Sequence, residues 1–141
     1  MRVRWVLVLV VGLAAAAAGA KPVKQDDRDR LQGTWVSTAG PPIELTFTGN
    51  RWTAREKKEN VELKGTFKLD PTKKPKTIDM TVEEGMEFQG KTSLGIYELD
   101  GDTLRWCANE PGKAERPKEF KREGNGQRFL LVTFKRVKKE P

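Results

Sequence analysis

Between residues 61 and 69 the chain alternates without a break, Val61, Leu63, Gly65, Phe67 and Leu69 standing against Glu62, Lys64, Thr66 and Lys68. Successive side chains of a strand point to opposite faces, so this pattern predicts a strand with one buried and one wetted side. The same period of two recurs along the chain. Ile43, Leu45 and Phe47 alternate with Glu44, Thr46 and Thr48, Trp52 and Ala54 share a face, and Ile78, Met80 and Val82 alternate with Thr77, Asp79 and Thr81. Segments at 34–39, 92–99, 103–108 and 129–136 bring the expected strands to eight. Gly40-Pro41-Pro42 ends the first, because prolines cannot donate to a ladder. Gly49-Asn50 and Asp100-Gly101-Asp102 carry hairpin chemistry, and Gly65 permits the bend a closed sheet needs. Short sequential connections predict neighbours pairing in order, and closure into a ring removes exposed edges. The predicted fold is all-β: an eight-stranded antiparallel up-and-down barrel, preceded by a short N-terminal helix that Asp26-Asp27 cap and that ends at Leu31.

The first 20 residues have another character: Arg2 and Arg4, an apolar run from Trp5 to Ala18, then the small-x-small site Ala18-Gly19-Ala20. This is the pattern of a signal peptide, and the run is short for the competing reading, a membrane anchor. No cysteine near the site offers a lipid acceptor. The expected organisation is a signal peptide at 1–20, a flexible or short helical lead-in at 21–30, the barrel at 31–137 and a disordered tail at 138–141. The expected location is therefore periplasmic or extracellular, with no transmembrane segment after cleavage. Removing Arg2 and Arg4 lowers the net charge from +7 to +5, a mild excess that does not suggest a nucleic-acid partner.

Much catalytic chemistry is absent. The chain has no histidine, which removes the usual general base, the commonest zinc ligand and every Ser-His or Cys-His triad. Cys107 is the lone cysteine, so no internal disulfide forms, and it reads as a small apolar strand residue. Ser37 and Ser93 lie in no nucleophile-elbow pattern. Asp100-Gly101-Asp102 reads as a turn, not as a calcium loop, which needs ligands over twelve residues. The acidic pairs Asp26-Asp27 and Glu83-Glu84, and the basic clusters Lys73-Lys74-Lys76 and Lys135-Arg136-Lys138-Lys139, read as solvated surface. The expectation is a protein without enzymatic activity, catalytic residues, metal or cofactor.

Several motifs in combination, Leu31-Gln32-Gly33-Thr34-Trp35, Gly65-Thr66-Phe67-Lys68-Leu69-Asp70-Pro71, Lys74-Pro75-Lys76, the stretch from Gly95-Ile96-Tyr97 through Asp102-Thr103-Leu104, and Arg116-Pro117-Lys118-Glu119-Phe120, resemble the small secreted lipocalin-like domains abundant in planctomycete bacteria. The resemblance spans nearly all of the chain after residue 20 and implies an eight-stranded barrel; it brings no catalytic residues. Gly33-Thr34-Trp35 with Arg136 also resembles lipocalins proper. That likeness implies a structural lock of Gly33, Trp35 and Arg136, the arginine lying across the tryptophan at the closed end of the barrel.

An eight-stranded barrel is filled by side chains or holds one small ligand. Many of its expected inward residues are large, which favours a filled interior. The ligand-binding reading takes Phe47, Trp52, Leu63, Phe67, Met80, Leu104, Trp106 and Val132 as the lining of an apolar pocket. The leading functional expectation is an exported binding protein for a small apolar molecule. The alternative is an interaction or scaffolding module of the cell envelope, engaging a protein or glycan through the Pro-, Gly- and charge-rich segment 109–128.

Overall fold

The computed structural model describes residues 26–138. The expected signal peptide, residues 21–25 of the lead-in and residues 139–141 of the tail lie outside them. The chain begins with a helix, α1 (Asp27–Leu31), whose N-cap Asp26 accepts a hydrogen bond from the Asp29 amide. Strands β1 (Gly33–Ala39), β2 (Ile43–Thr48), β3 (Arg51–Glu56), β4 (Val61–Asp70), β5 (Lys76–Glu84), β6 (Thr92–Asp100) and β7 (Thr103–Ala108) follow. A small separate hairpin, β8 (Glu123–Gly124) with β9 (Gln127–Arg128), precedes the last strand, β10 (Leu130–Arg136).

Eight strands form a closed antiparallel barrel in the order β1, β10, β7, β6, β5, β4, β3, β2. This is the predicted meander, closed by β10 against β1 through pairs such as Trp35 with Arg136 and Ser37 with Phe134. The sequence period carries through: Leu45, Phe47, Phe67, Ile78, Met80, Val82, Leu104, Trp106, Val132 and Phe134 are all buried in one interior cluster. Gly65 stands where the β4–β5 register shifts by a bulge, and a Cβ there would be driven into the Thr81 carbonyl oxygen. Close backbone approach makes glycine a requirement at this position.

The ends of the barrel differ. Helix α1 and the β2–β3, β4–β5 and β6–β7 turns gather at one end, where the Gln32 side chain exchanges hydrogen bonds with the Gly49 backbone. The β1–β2, β3–β4 and β5–β6 connections ring the other.

The Pro-, Gly- and charge-rich segment 109–128 carries structure of its own. Gly124-Asn125-Gly126 turns the chain within the β8–β9 hairpin. The segment also folds back over the outer wall of β5, β6 and β7. Arg116 donates to the Gly95 carbonyl (2.7 Å) and the Asp79 carboxylate (2.6 Å), Pro117 is fully buried, and Arg105 lies 4.2 Å over the Phe120 ring. This strap explains two outward-facing apolar residues, Ile96 and Cys107, a cross-strand pair that it covers completely. The Cys107 thiol donates to the Lys121 carbonyl, and burial pushes its pKa up.

Candidate functional site

At the closed end, the guanidinium of Arg136 lies 4.3 Å over the Trp35 ring. The same group donates to the carbonyls of Gln32 (2.6 Å) and Arg30 and to the Asp102 carboxylate (3.2 Å), while the Trp35 indole donates to the Leu31 carbonyl (2.8 Å). Carbonyls at the end of α1 that have no partner inside the helix are thereby satisfied by two core side chains. Gly33, at φ +113°, puts the chain into β1 in a conformation other residues rarely adopt, with the Arg136 guanidinium packed above it.

Asp27 completes the seal, and here the expectation of a solvated acidic pair is overturned. Its side chain is buried and accepts from Lys76 (2.8 Å), the Tyr97 hydroxyl (2.7 Å) and Arg30 (3.2 Å). Burial works to raise the Asp27 pKa, but the bonds from Lys76 and Tyr97 and the neighbouring positive charges outweigh it and hold the carboxyl below its usual value. Burial, reinforced by the bond to Asp27, pushes the Tyr97 phenol far up. Two members of the basic clusters are thus structural: Lys76 binds Asp27, and Arg136 locks Trp35.

At the opposite end the interior is open. A cavity of about 450 Å³ enters the barrel there, within the range of small-molecule sites. Trp52, Leu63, Met80 and Trp106 line it, so half of the sequence-derived candidates meet at one place. Phe47, Phe67, Leu104 and Val132 lie in the packed interior instead, Phe47 and Phe67 in an edge-to-face pair with ring centroids 5.0 Å apart. The interior is filled in one half and hollow in the other.

Ile43, Ala54, Val61 and Val82 complete the apolar wall, and Ser93, Ala108 and Asn109 stand where β6 and β7 reach the mouth. Their alternation with polar neighbours was visible in the sequence, but depth along the barrel was not. Glu56, Glu110, Pro111, Arg128, Phe129 and Leu130 form the rim, several from the strap. The polar side chains within are mostly committed. Ser93 donates to the Asn109 carbonyl (2.7 Å), the Asn109 amide donates to the Glu115 carbonyl and the Gln127 side chain, and Glu56 accepts from the amides of Lys58 and Glu59. Ser37 likewise accepts from the Ile43 amide. The site offers an apolar, concave surface with little uncommitted polarity, suited to taking a molecule out of water.

No protein-family model, curated protein or solved structure matches the chain. Among the described residues no helix is long and apolar enough to cross a membrane, and no group of three potential metal-ligating side chains occurs.

Proposed function

We propose that this protein is an exported, non-catalytic lipocalin-like carrier that sequesters a small, mostly apolar molecule in the open half of its barrel. The observation that carries this reading is the cavity of about 450 Å³, walled by Trp52, Leu63, Met80, Val82 and Trp106, in a barrel whose other end is sealed by α1. Burying apolar surface in such a pocket contributes about 25 cal/mol per Å², the main driving force available to a site so poor in charge. The signal-like pattern of residues 1–20 supports export, and the motifs that resemble secreted planctomycete lipocalin-like domains support the barrel class. The scaffolding alternative draws less support, because the strap spends Pro117 and Phe120 on the barrel wall.

Trp52 and Trp106 in the wall provide the assay. Titration with a panel of lipids and pigments is expected to quench tryptophan fluorescence saturably for at least one class. No saturable change with any member overturns the proposal.

A further inference from the structure

The chain has six phenylalanines, and five have a settled place. Phe47, Phe67 and Phe134 belong to the core, Phe88 packs against it, and Arg105 lies over Phe120 on the outer wall. Phe129 belongs to neither group. It stands half-buried on the rim of the hollow, and its side chain also borders two shallow grooves outside the barrel, one with Gly124 and Asn125 and one with Pro41 and Leu131. Among the described residues it is the one aromatic side chain on that rim, and part of its ring remains in water.

The backbone of Phe129 is held while its ring is not. Strand β9 ends at Arg128, paired with Glu123, and β10 begins at Leu130, paired with Ala108, so Phe129 is the single residue between two sheets. Its amide donates to the Arg122 carbonyl (2.8 Å). The edge of the ring rests on Gly124, where a Cβ would come within 3.0 Å of Cε2. Gly124 has no left-handed φ that would demand glycine, so what the missing side chain provides there is room for the ring. A large apolar side chain on a pinned backbone, seated beside an open hollow, reaches the mouth by a change of rotamer alone.

Resting on the carrier reading, we propose that Phe129 is the retaining gate of the hollow: its ring sits on Gly124 while the hollow is empty and folds over an apolar molecule once one has entered. The occupant gives the ring an apolar surface to cover, and both then lose contact with water. The wall of the barrel supplies affinity, and Phe129 slows escape. Gly124 is the positioning residue that keeps the entrance clear.

Stopped-flow mixing with N-phenyl-1-naphthylamine, a neutral apolar fluorophore, tests this; a member of the lipid and pigment panel that binds serves in its place if the fluorophore does not. F129A is expected to speed dissociation about tenfold, the worth of withdrawing about 55 Å² of apolar surface from water, with association changed by less than about threefold. F129L, which keeps apolar bulk at the rim and guards against a misfolded F129A, is expected to fall between. G124A fills the seat and drives the ring off it, so association is expected to slow by about threefold or more as the open fraction falls. A ring that merely walls the cavity would leave association with G124A at the wild-type rate. With 4-fluorophenylalanine incorporated, the fluorine signal absent from F129L is expected to shift when the probe binds, a readout that needs only the wild-type fold. Unchanged dissociation in F129A and F129L, unchanged association in G124A, or an unmoved Phe129 signal at probe saturation overturns the gate while leaving the carrier reading intact. Failure of the fluorophore to bind the wild-type protein, together with failure of the whole panel, overturns the carrier reading and the gate with it.

Discussion

Asp27 shows how far a single side chain can depart from its apparent role. Next to Asp26 at the start of a helix it reads as a solvated cap, yet its partners Lys76 and Tyr97 lie 49 and 70 residues away, and only the closed barrel brings them together. Trp35 and Arg136 were more legible, because Gly33-Thr34-Trp35 and a last-strand arginine form a recognisable combination. The carboxyl of Asp27 is held below its ordinary value of 3.8 in the folded state. The unfolded chain therefore binds the extra proton first as pH falls, so the contribution of Asp27 is fully present above 3.8 and is lost as pH drops through the folded pKa. Asp27→Asn is expected to cost about 1–3 kcal/mol at neutral pH by leaving buried donors short of an acceptor. Urea unfolding of wild type and variant at a series of pH values checks both statements: the gap between them should narrow below 3.8. A gap that stays constant or widens in acid contradicts the assignment.

At the scale of elements, strands were readable and the strap was not. The β2, β3 and β7 bounds agree with the alternating runs, since a period of two is imposed directly by a sheet with one wet face. Elsewhere the bounds differ by a residue: β1 starts one residue early at Gly33, and β10 starts one late at Leu130. The strap has no period, because its buried residues make isolated contacts. Its location was nevertheless hinted at by Ile96 and Cys107, apolar residues on the wet phase of β6 and β7. Arg116 is its main clasp. Arg116→Ala is expected to loosen the cover over Cys107 and speed alkylation of that thiol by about tenfold or more, since loss of a charge-assisted bond to a carboxylate is worth about 1.5–3 kcal/mol. Mass spectrometry after timed iodoacetamide exposure measures it, with no change in rate speaking against the clasp. In the sheet itself, Gly65→Ala is expected to cost several kcal/mol or to prevent folding, in contrast to the roughly 1 kcal/mol gain glycine replacement brings at an unstrained strand position. Circular dichroism during thermal unfolding distinguishes the two.

For the whole molecule, the division into a filled half and a hollow half gives opposite responses to changes in side-chain volume. Below the cavity, Phe47 and Phe67 meet edge to face with Phe47 almost wholly buried, so Phe47→Ala leaves a void in close-packed surroundings and is expected to cost about 3–5 kcal/mol. In the hollow half, Ala54 lines open space, and Ala54→Leu adds methylene-sized groups that replace cavity with apolar contact. At about 0.8 kcal/mol per buried CH2, the enlarged side chain is expected to stabilise the barrel by about 1–2 kcal/mol, a rise in Tm of a few degrees. A uniformly packed interior would respond in the opposite sense, overpacking costing about 1–3 kcal/mol. The same substitution narrows the pocket, so Ala54→Leu should also abolish the saturable fluorescence response while leaving the fold intact. Calorimetry and ligand titration on the one variant therefore read the two halves of the argument together. Higher stability with lost binding is the result expected of a hollow held open for a ligand, and lower stability would mean that the space is already occupied by the protein's own side chains.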